Sequence, residues 1–588
     1  MRRTWVQRSA AITAMGLVAG CGGDGRLPSS AGRAPVDSGE PVVLEHCGTL
    51  EADETWGPPG STHRVTCDVK VKAGILTIAE GVTVQFEPDT MLRVGAGTAA
   101  AGLEVLGTAD EPVSLESSAD GAGRWAGVQF FNMTSRAVMS HTTVTSAGED
   151  RRGAIDVDSV AATLDHVTVE DALTCGIRIL GTGSFAPDSA ALRVTTSGGA
   201  PVCLPVEATA GLPIDNSDYT GNHTDVITIE GGKLGVPARW DSPGVPYAME
   251  AQLKVSGSAE RPAVLTLGPG VEVHFGNDGG LKFSGDGGAS GFIAEGSQDT
   301  PVLLTGLDSS IRGSWRGVEV HPGVIDGGLV LQHLTLLDAG SRQDAALRIR
   351  DTAIAFTSVT VEHCEGVGFG LEGSASIISG STGLRVEGCE RPLALPAGLY
   401  GNVPVDSVFI DNDEQMVTLQ GSGQVRKSAV WSNLGVPLRI ASDIDVEGSA
   451  DQTTVLELAA GLELRFEANR AFEVAAGGGA AGLVLSGTEA APVRLLPYAS
   501  AQAGEWVGLQ IHPDAVGAET RLVEFELSGG GGRSADGALS VRGVDATITD
   551  GLIRRVPDET CGIHLTDTAL VPERITYEDV GGEDLCRE

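Results

Sequence analysis

With 588 residues, 41% of them hydrophobic and 20% charged, the chain can fill a large core and is long enough for several domains. Its net charge of -38 excludes nucleic acid and an anionic membrane face as electrostatic partners, and leaves cations and divalent metals open. The 82 glycines against 4% aromatics favour tight turns between short strands, and no stretch after the N-terminus is apolar for long enough to span a bilayer.

Residues 1–20 read as a targeting signal: Arg2, Arg3 and Arg8 precede an apolar run from 10 to 19 that ends in small residues. That ending, Val18-Ala19-Gly20-Cys21, resembles the lipobox of bacterial lipoproteins. The resemblance implies cleavage before Cys21, lipidation of that cysteine, and a stable anchor through several acyl chains. Residues 21–44 are then the lipidated cysteine and a flexible tether rich in Gly, Ser, Pro and Asp. Gly22 is not the aspartate that usually signals retention at the inner membrane, so the expected location is the outer membrane, on either of its faces.

From residue 45 the chain repeats itself three times, over 45–214, 215–405 and 406–588. Each copy opens on a tryptophan and a turn, at Trp56, Trp240 and Trp431. LTIAEGVTVQF (76–86) returns as LTLGPGVEVHF (265–275) and LELAAGLELRF (456–466). GTADEPVSL (107–115) returns as GSQDTPVLL (296–304) and GTEAAPVRL (487–495). GRWAGVQF returns as GSWRGVEV and GEWVGLQI, with Trp125, Trp315 and Trp506 spaced 190 and 191 residues apart. Runs such as Leu76-Thr77-Ile78 and Val82-Thr83-Val84-Gln85-Phe86 alternate with period two between Gly, Pro, Asp and Asn, which predicts short strands. No amphipathic helix pattern appears in the mature chain, so βαβ folds are excluded and sandwiches, propellers and solenoids remain. Like strands recur about every 22 to 27 residues, too short for a propeller blade of about 40 to 45 and suited to one coil of a β-solenoid.

These pieces resemble the right-handed parallel β-helix family of bacterial surface proteins, which carry an L-T-[VI]-x-x-G-V-x-[VI]-x-F run, a G-T-x-x-x-P-[VI] turn and a W-x-G-[VIL] strand. The resemblance spans nearly all of 45–588 and implies an all-β, right-handed parallel β-helix of three tandem repeats, each of about eight coils stacked at about 4.8 Å. It specifies fold, not function. The sequence leaves open whether the stack is continuous or restarts at Trp240 and Trp431.

Eight cysteines remain beside Cys21, an even number in an exported chain. Pairing in sequence order, Cys47 with Cys67, Cys175 with Cys203, Cys364 with Cys389 and Cys561 with Cys586, joins residues about one coil apart, within bridging range. Cys203 and Cys586 fall inside their strands, so those two bridges require a register shift. Metal binding competes poorly, since no CxxC or HxxxH cluster accompanies them.

The six mature tryptophans hold equivalent positions and read as structural, and the GxGxxG-like patch at 476–482 lacks a following helix. His141 and His333 share a place in their copies where the alignment puts Phe525 in the third, which reads as packing. No G-x-S-x-G elbow supports a hydrolase triad. The one constellation with chemistry is Asp156 and Asp158, outward at i and i+2 of one strand, with Arg178 one coil on. Many β-helix proteins are polysaccharide lyases with carboxylate-held calcium and an arginine base, and this outline is similar. The lyase motifs are missing, however, and the other copies place Arg348 and Arg350, or Ser540 and Arg542, there. An exposed ion-pair ladder is the plainer expectation. Two functions follow: an envelope lipoprotein whose rigid scaffold serves binding, adhesion or surface structure, without a cofactor, or a polysaccharide-active enzyme that would use calcium. The expected partners are the membrane, through the lipid, and a polysaccharide or another surface protein.

Overall fold

The computed structural model describes residues 43–588 except 150, 285, 286, 343, 450, 500, 501 and 534. Cys21, the signal before it and the tether to residue 42 lie outside the described residues. The all-β expectation holds: 43 strands form one sheet system and seven more, from Gln424–Val425 to Leu585–Arg587, form a second. All the pairings between strands are parallel, as in Val128↔Ile155 and Ile155↔Ile177, so each interior strand meets one partner about a coil earlier and one about a coil later.

Alternation sets the inside and outside. In Thr83–Phe86 the second and fourth residues, Val84 and Phe86, are fully buried while Thr83 and Gln85 are half-buried outside. Stacking aligns these inward positions into columns. Leu92, Val128, Ile155, Ile177, Val202, Ile227, Tyr247, Val273, Leu304, Leu336, Val361 and Val386 pair one after another in a single column. None of them is more than 1% exposed. This column runs past Trp240 without a break. Past Trp431 the same holds, because Leu395 pairs with Leu419, Leu419 with Ile440 and Ile440 with Phe466.

The columns also show that matching motifs change face. Val128, from GRWAGVQF, and Leu304, from TPVLL, stand in the same column. The pairing series that contains Val318–Val320 of GSWRGVEV runs on into Val493–Pro497 of APVRLLP. A copy therefore enters the stack turned by one face from the copy before it, because its length is not a whole number of coils. Short 3-10 turns, Val206–Gly211 and Ala397–Asn402, bridge the two changeovers, and Tyr400 meets Trp431 edge-on at 5.5 Å.

Corners are made by residues at positive φ. One corner column holds His141, His166, Ala191 and Asn216, with φ of 41, 52, 52 and 54°. A single left-handed residue between two extended runs turns the chain from one face to the next, and stacking repeats the same conformation coil after coil.

Candidate functional site

Asp156 sits on the strand Ile155–Asp158, opposite the core residues Ile155 and Val157, and should be exposed. Instead only 6% of it is, with Gln129, Arg151, Arg152, Gly153 and Arg178 packed around it. The turn from Glu149 to Gly153 is pinned by an Arg152–Glu149 ion pair at 3.2 Å, and the Gly153 N–H donates to Asp156 Oδ1 at 2.8 Å. Burial raises the Asp156 carboxyl from 3.8 to about 6, while the Gly153 hydrogen bond and the charges of Arg178 and Arg152 pull the other way.

The expected exposed ion-pair ladder is therefore corrected. Among the described residues neither aspartate makes an ion pair or hydrogen bond with Arg178, whose guanidinium donates to the Arg151 carbonyl. Asp158 Oδ1 accepts from the Ser159 hydroxyl at 2.8 Å. Together Gln129, Phe131, Arg151, Arg152, Asp158 and Arg178 surround Asp156 in a cavity of about 190 Å³. Gln129 Oε1 accepts from Arg93 at 3.2 Å, and its buried Nε2 has no partner among the described residues. A carboxyl that is partly protonated near neutral pH, an unused amide donor and three guanidinium groups suit a small polar or anionic group. Calcium does not fit: it takes six to eight oxygen ligands, and here two carboxylates face three arginines.

The ion-pair ladder belongs to the second copy. Arg348 bonds Glu372 at 2.8 Å, and Arg350 shares that carboxylate at 2.8 Å. In the third copy the place of Asp156 is held by Ser540, buried beside Gln510 and His564.

The alignment of His141 and His333 with Phe525 is also corrected. Phe525 pairs with Val493 as Thr142 pairs with Val113 and Leu334 with Val302, so Phe525 matches the residue after each histidine. The true third member is Glu524, which shares the corner conformation at φ 50° with His141 at 41° and His333 at 45°. Matching LVEFELS to VMSHTTV through its phenylalanine sets the third copy one residue out of register. This place is polar in every copy and does not pack in the core. His141 stacks on His166, one coil on, with ring centroids 4.4 Å apart.

A polar cluster that sequence reasoning missed covers the first end of the core. His46 stacks on Trp56 at 4.1 Å, and its Nε2 is 2.8 Å from Nδ1 of the buried His63. His63 Nε2 lies 2.9 Å from Ser61 Oγ, while Glu54 accepts from the Trp56 indole at 2.7 Å. Burial lowers both imidazoles below 6.5. The 17-residue spacing of the two histidines, shorter than a coil, gave no signal.

The four disulfides pair in sequence order, with Cα separations of 4.9, 6.1, 4.5 and 6.0 Å. The anticipated register shifts are present: Cys203 pairs in the ladder with Arg178 and Cys586 with His564, each three residues beyond the bridged partner. Among the described residues no helix is long and apolar enough to cross a membrane. Comparison with protein-family models, curated proteins and solved structures gives no match for this chain.

Proposed function

We propose that the chain is an exported lipoprotein, anchored through Cys21 in the cell envelope, whose three tandem repeats form a right-handed parallel β-helix that serves as a rigid scaffold for binding or adhesion. The observation that carries this reading is the unbroken inward column through the copy boundary at Trp240, with no hinge in the hydrogen-bonded stack. A stack of this kind resists bending because every coil is the edge of the next. Its outward faces carry ion pairs and turns, and the bound partner is a polysaccharide or another surface protein.

A second reading, a polysaccharide-active enzyme, is favoured by the buried Asp156 carboxyl beside the unpartnered Gln129 amide. If chemistry occurs there, Asp156 rather than Arg178 is the general base or acid, since its carboxyl titrates near 6 and a guanidinium stays charged. One experiment separates the readings: purified full chain is incubated with acidic polysaccharides and assayed for bound polymer and for unsaturated or reducing-end products. Binding without products supports the scaffold. Product release that Asp156→Asn abolishes would establish the enzyme.

A further inference from the structure

We propose that His141, His166 and Asp165 form a surface site for a borderline divalent transition metal such as Zn²⁺ or Cu²⁺. Their ligand atoms all lie within 4.8 Å of one another. Ser140 pairs with Asp165, so the corner residues that follow, His141 and His166, fall on consecutive coils in the same conformation. The fold thus imposes the juxtaposition, and the rings lie 19° from parallel with centroids 4.4 Å apart.

Asp165 completes the set. Its Oδ1 is 2.9 Å from His166 Nδ1, so a carboxylate oxygen and a ring nitrogen already stand near the separation of two ligands on one ion. One carboxylate beside two imidazoles is a donor set that zinc accepts. His141 has no hydrogen-bond partner among the described residues, so neither of its nitrogens is committed elsewhere. Two nitrogens at about 2.1 Å from one ion stand roughly 3 to 4 Å apart with their in-plane lone pairs converging, so both rings must turn out of their stack to meet the ion, which their position at the surface allows.

The neighbouring coils leave room. Gly107 precedes His141 in the corner column, where a Cβ would come within 2.4 Å of the His141 carbonyl, and Ala190 and Ala191 follow Asp165 and His166. No long side chain at these positions competes for the ion, and waters can complete its shell. The two other copies use the same corner differently. His333 is followed by Ser358, and Glu524 by Asp550, which is paired with Arg574 at 2.6 Å. The site therefore belongs to the first copy alone. Imidazole nitrogens with one carboxylate select zinc, copper or nickel over calcium or magnesium, which take all-oxygen shells. The net charge of -38 favours arrival of any cation.

The test is isothermal titration of the detergent-purified full chain with ZnCl₂ and with CuSO₄, alongside His141→Asn, His166→Asn, Asp165→Asn and His333→Asn. Asparagine tolerates the left-handed backbone at His141, His166 and His333, so those variants retain the turn without the imidazole, while Asp165→Asn removes the carboxylate charge. Wild type and His333→Asn are expected to saturate at one equivalent, with Cu²⁺ electron paramagnetic resonance showing two imidazole nitrogens. Affinity is expected to fall by about tenfold or more in each first-copy variant. Circular dichroism identifies any variant that fails to fold, and loss of affinity in one folded histidine variant suffices. No saturable binding by wild type, wild-type affinity in both His141→Asn and His166→Asn, or displacement of Zn²⁺ by equimolar Ca²⁺ would each overturn the site.

Discussion

Phe86 and Trp125 stack face to face, with ring centroids 3.8 Å apart and planes 8° from parallel. The pair recurs as Phe275 on Trp315 at 4.4 Å and Phe466 on Trp506 at 4.1 Å. Each indole N–H donates to a backbone carbonyl of the following coil, at Thr145, Leu337 and Ser528, over 2.9, 2.6 and 2.9 Å. The stack fills the interior and the hydrogen bond ties two coils, so Trp125→Ala should lose both contributions. The expected destabilisation is about 3 to 5 kcal/mol by urea unfolding. A change below about 1 kcal/mol would contradict the packing role.

Asp156→Asn should stabilise the protein at pH 8. The carboxyl titrates at about 6 when folded against 3.8 in the reference state, so the folded chain binds more protons between these values. The penalty is fully present above pH 6 and is relieved as pH falls toward 3.8. By linkage the gain is up to about 3 kcal/mol at pH 8 and vanishes below pH 4. Asparagine retains the acceptor for the Gly153 N–H. Equal stability of the two proteins at all pH values would show that Asp156 is solvated.

The capping histidines act in the opposite sense. Burial lowers His46 and His63 below 6.5, and for His63 the neighbouring His46 lowers it further. The unfolded chain therefore takes up these protons first, and stability present above pH 6.5 is lost as pH falls below that value. His63→Phe retains the stack and removes one titrating group, so its melting temperature should fall less between pH 7.5 and 5.5 than that of wild type. An unchanged slope would assign the acid sensitivity elsewhere.

The Cys364–Cys389 bridge joins two fully buried sulfurs across 25 residues. Replacing both by alanine should cost about 3 kcal/mol, on the chain-entropy estimate for a loop of that length. Peptide mapping without reduction should recover four local pairs. A bridge between different copies would be incompatible with the coil assignment.

What could be read from sequence follows from which interactions are local. The strands, the tryptophan motifs and the cysteine pairs were legible because alternation and a near-constant coil length place them without long-range information. The continuity past Trp240 and the turn by one face were not, since they depend on how Tyr247 and Val273 stack on Ile227 across the boundary. Asp156 reads as exposed by alternation, and it is the neighbours Gln129, Arg151, Arg152, Gly153 and Arg178, from three successive stretches of chain, that bury it. His141 reads as packing only when the third copy is set one residue out of register, which exchanges Glu524 for Phe525, and the strand pairings that fix that register are not visible in the sequence.

Anchoring at the envelope is the premise on which the scaffold reading rests, and mass spectrometry of the mature N-terminus from the membrane fraction tests it most directly. The expected result is a chain that begins at Cys21 and carries a diacylglyceryl group on its sulfur. A free, unacylated N-terminus at any other residue would contradict it.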